Sequence, residues 1–267
     1  MRRTVRNCVA ALGAVAALGG GLLSQAGPAG AAVARPAAHT SLAVGATYVP
    51  PKGTLGPGSH GAAVLRLQER LNYLHYYSGK PDGQYGPNTE EAVWAFKEAQ
   101  GIQTKVTPDN VTRNTKRALV HPKQPMVLVP KGGSWRVEVH LTLGYLVVYR
   151  HNVPELISHI SPGGGYYYPC PGDPSATCGP AITPDGNYRA HWFAPGWVKV
   201  PLGEMYNPVF FIGGAYAIHG DTFVPLYAAS HGCVRVPMFI AGFFHKLVYV
   251  NETKGTPVYI RGHVPGT

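Results

Sequence analysis

Arg136-Val137-Glu138-Val139-His140-Leu141-Thr142-Leu143-Gly144-Tyr145-Leu146-Val147-Val148-Tyr149 is the stretch that decides the fold class. Val137, Val139 and Leu141 alternate with Arg136, Glu138 and His140, and a period of two puts each set on one face of a strand. The apolar run 146–149 follows closely, so the two segments predict a β-hairpin. Further short apolar runs at 198–200, 209–212, 216–218 and 258–260 are separated by Pro and Gly. Residues 126–262 are therefore expected to form a mostly β domain. One helix is expected in it over 237–248, where Phe239, Ile240, Phe243, Phe244 and Leu247 make an apolar stripe and Pro237 suits the first turn.

Upstream the periodicity changes. Val64, Leu67, Leu71 and Leu74 recur at helical spacing, a Gly-Lys-Pro-Asp-Gly turn follows, and a second helix is expected to open at Asn88 with Glu91 completing a capping box. Ala92, Val93 and Phe96 give its apolar face, and a third short helix fits after Asp109, ending near Ala118 and Leu119. Residues 55–122 thus predict a small three-helix domain, and the chain as a whole an α+β protein of two domains. Residues 33–54 lack periodicity and read as a linker. Before them, Arg2, Arg3 and Arg6 precede a small-residue apolar run at 8–23, followed by Ala29-Gly30-Ala31-Ala32. That pattern predicts a signal peptide over 1–32, cleaved near Ala31 or Ala32; the alternative is an uncleaved anchor. After cleavage no membrane span is expected.

Composition narrows the partners. Charged residues make up 13% of 267 residues, against 34 Gly and 25 Pro, which favours turns and strands over long charged helices. A net charge of +10 draws the protein toward polyanions. No basic run is interleaved with stacking aromatics, so nucleic acid is not an expected partner. Nothing in the sequence addresses oligomeric state.

Of four cysteines, Cys8 precedes the expected cleavage site and three remain in an oxidising compartment. Cys170 and Cys178 flank a turn-forming Pro-Gly-Asp-Pro-Ser-Ala-Thr segment short enough to bring two sulfurs together, so a disulfide is expected there, the alternative being two free thiols. Cys233 is left without a partner. It sits in Ala229-Ser230-His231-Gly232-Cys233-Val234-Arg235, downstream of Ala217-Ile218-His219-Gly220. A thiol attacks as thiolate, and a nearby imidazole or helix N-terminus helps form one at neutral pH; this segment is expected to offer both. Gly232 removes a side chain where backbone must approach a substrate, and the N–H groups there are placed to face an oxyanion.

These residues resemble the signature of the YkuD-type L,D-transpeptidase domain, over 126–262. Ser230-His231-Gly232-Cys233-Val234-Arg235 carries the resemblance, supported by Thr183-Pro184-Asp185-Gly186-Asn187-Tyr188 and by Met205-Tyr206 ahead of Ile218-His219-Gly220. The upstream unit is similar to the common peptidoglycan-binding domain through Leu55-Gly56, Gly61, Val64, Leu67-Gln68, Leu71, Asp82-Gly83, Tyr85-Gly86, Thr89, Ala92-Val93, Phe96, Gly101, Asp109 and Ala118-Leu119. The resemblance implies a β-sandwich with a short helix. It also implies attack by Cys233 on the amide before the terminal D-Ala of a tetrapeptide stem, giving a thioester that an amine of a second stem resolves into a 3→3 cross-link. Water as acceptor would give a carboxypeptidase, and a third reading is a catalytically silent wall-binding protein. By the resemblance His219 is the base, oriented by the Gly220 carbonyl. His231, Gly232 and Cys233 shape the oxyanion side, and Ser230, Arg235 and Tyr206 order the loop or contact substrate, Arg235 gripping a stem carboxylate in a bidentate way. Partners would be peptidoglycan stem peptides and glycan, with no cofactor, and the location the cell wall.

Two rival readings of the site are weaker. A metal set of His219, His231 and Cys233 is disfavoured, because no Cys-x-x-Cys or His-Glu-x-x-His spacing occurs. A serine hydrolase is disfavoured because there is no Gly-x-Ser-x-Gly.

Overall fold

The computed structural model describes residues 48–264. The expected signal peptide, Cys8 and most of the linker lie outside the described residues.

Three helices come first: α1 (Ala62–Tyr73), α2 (Pro87–Gln100) and α3 (Arg113–Val120). Val64, Leu67 and Leu71 of α1 and Val93 and Phe96 of α2 are fully buried, as their spacing on one face requires. The expected capping box does not form. Pro87 takes the first helical position after Gly86, and no side chain caps the helix. A ring with φ already fixed near the helical value starts the helix one residue earlier than Asn88, which leaves Glu91 inside it. Gln68 fastens the Asp82-Gly83 turn to α1, since its Oε1 accepts from the amides of Asp82 (3.0 Å) and Gly83 (2.8 Å) while its Nε2 donates to Asp82 Oδ1 (2.8 Å).

Twelve strands and a fourth helix follow among the described residues: β1 (Arg136–His140), β2 (Tyr145–Arg150), β3 (Val153–His159), β4 (Tyr168–Cys170), β5 (Asp173–Cys178), β6 (Gly186–Arg189), β7 (Trp192–Phe193), β8 (Trp197–Val200), β9 (Gly203–Ile212), β10 (Tyr216–Asp221), β11 (Val234–Pro237), α4 (Met238–Leu247) and β12 (Pro257–Arg261). One sheet runs β3-β2-β1-β12-β6 and the other β11-β10-β9-β7, with β8 also on β9 and β4-β5 a separate hairpin. Val137, Val139, Leu146, Val148, Leu156, Val258 and Ile260 of the first sheet share a core with Val209, Phe211, Ile218, Val234 and Val236 of the second and with Ile240 and Phe244 of α4. This is the expected sandwich with its short helix.

The first sheet is covered on both faces. Tyr145, Val147, Tyr149 and Ile157 on its outer side join Leu67, Leu71, Tyr76, Val93 and Phe96 of the helical unit in a second core. An alternating antiparallel strand ordinarily leaves its polar set to water. In β1 that set is buried as well: Arg136 pairs with Glu138 at 2.6 Å and also donates to Gly133 O and Asn152 Oδ1, while Glu138 accepts from the Leu128 amide.

Candidate active site

Strands β10 and β11 pair in parallel, Ile218 against Val234 and His219 against Arg235. Ile218, Val234 and Val236 point into the sandwich core. The period of two then puts His219 and Arg235 on the opposite face, and Cys233, one residue ahead of β11, continues that face beside Ala217. Opposite His219 the ladder is irregular: Val209 pairs Ile218 and Tyr206 pairs Gly220, so Asn207 and Pro208 together oppose one residue. Such a bulge bends a strand and re-aims its neighbours. Asn207 holds it in place at φ 47°, its side chain accepting from the Gly196 amide (2.7 Å) and donating to Ala241 O (3.2 Å).

The buried His219 ring donates from Nδ1 to Gly220 O at 2.9 Å. A carbonyl only accepts, so the proton sits on Nδ1 and Nε2 keeps its lone pair. Burial holds this imidazole below the usual histidine range, which keeps it neutral at pH 7. Gly220 is required by packing, since a Cβ there would lie 2.7 Å from Ala241 Cβ on α4 and 3.2 Å from the Tyr206 ring.

Cys233 is half-buried, and its Sγ lies 3.8 Å from Ala215 O and 4.0 Å from Met205 Sδ. Burial pushes the thiol up; a hydrogen bond from the Ala217 amide and the charge of Arg235 act the other way. Neither expected activator touches the sulfur: no hydrogen bond joins Sγ to an imidazole, and the helix N-terminus is not adjacent. Val234 and Val236 alternate into the core, so residues 234–237 run extended for roughly 13 Å before α4 begins.

The loop bearing Cys233 is fixed from within. Ser230 is buried, its Oγ accepting from the Gly232 amide (2.9 Å) and donating to the Cys233 carbonyl. The Ser230 hydroxyl is thereby committed within the loop, and the Gly232 N–H is bonded there rather than open to an oxyanion. No hydrogen bond among the described residues occupies the amides of His231 and Cys233. Gly232 has φ +140°, and a Cβ there would meet the Tyr216 ring at 2.6 Å and Ile182 O at 2.9 Å. Thr183 bridges the Thr-Pro segment to this loop, accepting from the Gly163 amide and donating to Gly232 O at 2.7 Å.

Arg235 is held inward, with Nε 3.1 Å from Asp221 Oδ2 and Nη1 donating to Phe223 O. Asp221 and Phe223 thus engage Nε and Nη1, and the bidentate grip on a stem carboxylate stays a proposal. Tyr206 packs against Gly220 and the Trp197 ring, half-exposed on the edge of the site. His231 makes no bond to Sγ. Its ring stands edge-on to Tyr168 at 4.6 Å and Tyr166 at 5.5 Å, both carried by the segment that enters the β4-β5 hairpin, and Cys170 and Cys178 close that hairpin as a disulfide. Sequence reasoning missed Met205 and Ala215 as neighbours of the sulfur, and it missed the contact of the tyrosines with His231. The run Tyr166-Tyr167-Tyr168 was the only available signal for that contact. Among the described residues no group of three or more His, Cys, Asp and Glu side chains is placed to hold a metal ion.

Fold and site together define a β-sandwich protein with a lone thiol and a tautomer-fixed imidazole on one face, fused to a small helical unit. Residues 60–119 match the profile of the peptidoglycan binding domain, and residues 134–260 that of the L,D-transpeptidase catalytic domain. A solved L,D-transpeptidase from Xylanimonas cellulosilytica is 32% identical, with 80% of this chain and 100% of that one covered and a TM-score of 0.69. The chain belongs to the L,D-transpeptidase family. An L,D-transpeptidase from Stackebrandtia nassauensis also matches, at 18% identity over 82% of this chain and 100% of that one, with a TM-score of 0.45. No curated protein matches.

Proposed function

We propose that the protein is an exported cell-wall acyltransferase that makes 3→3 cross-links in peptidoglycan, with Cys233 as nucleophile and His219 as base. The observation that carries this reading is the shared face of His219 on β10 and Cys233 just ahead of the parallel strand β11, together with the Nδ1–H bond to Gly220 O that leaves Nε2 as an acceptor. Diagonal neighbours on one sheet face are roughly 7 Å apart at Cβ, within reach of each other's side chains.

The resting pair is a neutral thiol beside a neutral imidazole. A change of Cys233 χ1 to another staggered well releases Sγ from Ala215 O and turns it toward Nε2. His219 takes the thiol proton as sulfur attacks the amide carbonyl before the terminal D-Ala. The C–S bond forms, the C–N bond breaks, and the same proton passes from His219 to the departing D-alanine amine. The amides of His231 and Cys233 are the donors free to meet the oxyanion. A side-chain amine of a second stem then attacks the thioester, giving the new amide and returning the thiol. Stem peptides and glycan are the partners, with the helical unit holding the enzyme on the wall.

Incubation with a carbapenem tests the assignment of the nucleophile. One covalent adduct per chain is expected by intact mass, located on Cys233, lost in Cys233→Ser and slowed at least about 100-fold in His219→Gln, the scale of general-base catalysis. A wild-type chain that gains no mass contradicts it.

A further inference from the structure

His159, at the end of β3, is fully enclosed and belongs to none of the machinery above. Its Nδ1 lies 2.9 and 3.0 Å from the two carboxylate oxygens of Glu98 on α2. Its Nε2 lies 3.2 Å from Val224 O and 3.1 Å from Pro225 O. The two carbonyls facing Nε2 only accept, so Nε2 donates. Burial lifts the Glu98 carboxyl to about 7 and the imidazolium facing it acts the other way; with Glu98 ionised Nδ1 donates as well, and the ring is an imidazolium. Gly144 leaves room for the carboxylate: a Cβ there would stand 2.8 Å from Glu98 Oε1. Trp94 of α2 meets the ring edge-on at 5.4 Å, and Glu91 on the same helix adds a second carboxyl facing it.

Val224 and Pro225 are the buried middle of the loop that leaves β10 after Asp221 and re-enters at Ser230. The next contacts along this loop come from the same stretch of chain as His159: Ser161 Oγ donates to Tyr227 O and accepts from the Ala229 amide. We propose that His159 is a positioning residue, an imidazolium clamped between Glu98 of the helical unit and the Val224 and Pro225 carbonyls, through which the helical unit holds the Cys233 loop in place. The inference goes beyond the catalytic assignment, because it makes the wall-binding unit part of the active-site scaffold rather than a tether alone.

The test uses the full mature chain and two readouts that do not need turnover. In the wild type, nitrogen-detected NMR of the His159 ring at about pH 7 is expected to find both nitrogens protonated, unlike a free histidine of pKa about 6.5. In Glu98→Gln, which keeps the shape and removes the charge, iodoacetamide labelling of Cys233 is expected to rise about five-fold or more as the loop loosens, with circular dichroism and sedimentation with peptidoglycan unchanged. Glu98→Asp is expected to restore much of the protection. A neutral His159 ring in the wild type overturns the proposal even where the variants fail to fold, and so does a folded Glu98→Gln chain labelled at the wild-type rate. Failure of the catalytic reading registers separately, as a wild-type chain that takes no carbapenem.

Discussion

With Cys233 as the proposed nucleophile, its surroundings store it as a neutral thiol rather than as an ion pair. Burial raises its pKa, and neither imidazole bonds the sulfur, so the native thiol deprotonates above the ordinary value. Iodoacetamide labelling of Cys233 should therefore climb with pH to a midpoint above about 8.5, the free-thiol value; a midpoint below about 7 would mean a preformed ion pair. His140 makes the companion case for a buried imidazole with no partner. Its two ring nitrogens are unbonded, its ring stacks on Tyr145 at 4.2 Å, and burial pushes its pKa down to about 4. Between that value and the unfolded one the unfolded chain binds the extra proton, so stability is present at neutral pH and falls as pH drops from about 6.5 toward 4. His140→Phe should remove that loss and stabilise the protein by about 2 kcal/mol at pH 5, measured by urea unfolding; a variant with the wild-type acid slope would mean the ring is not buried neutral.

At the level of elements, the hairpin that places His231 carries its own prediction. Edge-on aromatic contacts contribute about 0.5–1.5 kcal/mol. Tyr168→Ala should lower kcat/KM for stem peptide about 2- to 10-fold with the Cys170–Cys178 pair and the fold intact; unchanged kinetics would leave the tyrosines as surface decoration. Which elements were legible follows from which forces act locally. Helices α1 and α2 are written in apolar spacing because each buries one regular stripe, β1 through the apolar set it turns to the sandwich core and β2 as a short apolar run buried on both faces, and the Ser-His-Gly-Cys string marked the candidate site because its Gly and thiol have few other uses. The α2 start was misread because Pro87 outcompetes an Asn-Glu capping box for the first turn. The helix N-terminus expected beside Cys233 lies further on, because Val234–Pro237 form a strand paired with β10 before α4 begins. Met205 reaches the sulfur from β9, Ala215 from the turn between β9 and β10, and Thr183 reaches its loop through the wrapping of the Thr-Pro segment, and none of these leaves a periodic trace in sequence.

Across the whole molecule, the helical unit and the sandwich are not independent bodies in their energetics, because one core joins α1 and α2 to the outer face of β2 and β3. That shared core also explains why Arg136, Glu138 and His140 are buried on a strand whose alternation suggests a wet face. Phe96→Ala should cost about 3–5 kcal/mol and lower a single calorimetric transition for both parts; two transitions, with only one shifted, would argue for separate folding. On the proposed reading, a joint scaffold of this kind positions one thiol and one imidazole for acyl transfer between peptidoglycan stems. Mass spectrometry of a purified disaccharide-tetrapeptide incubated with the mature chain tests this most directly. Release of D-alanine together with a 3→3 linked dimer, both absent with Cys233→Ser, is the outcome the account requires. Tripeptide with no dimer, or substrate returned unchanged, would contradict it.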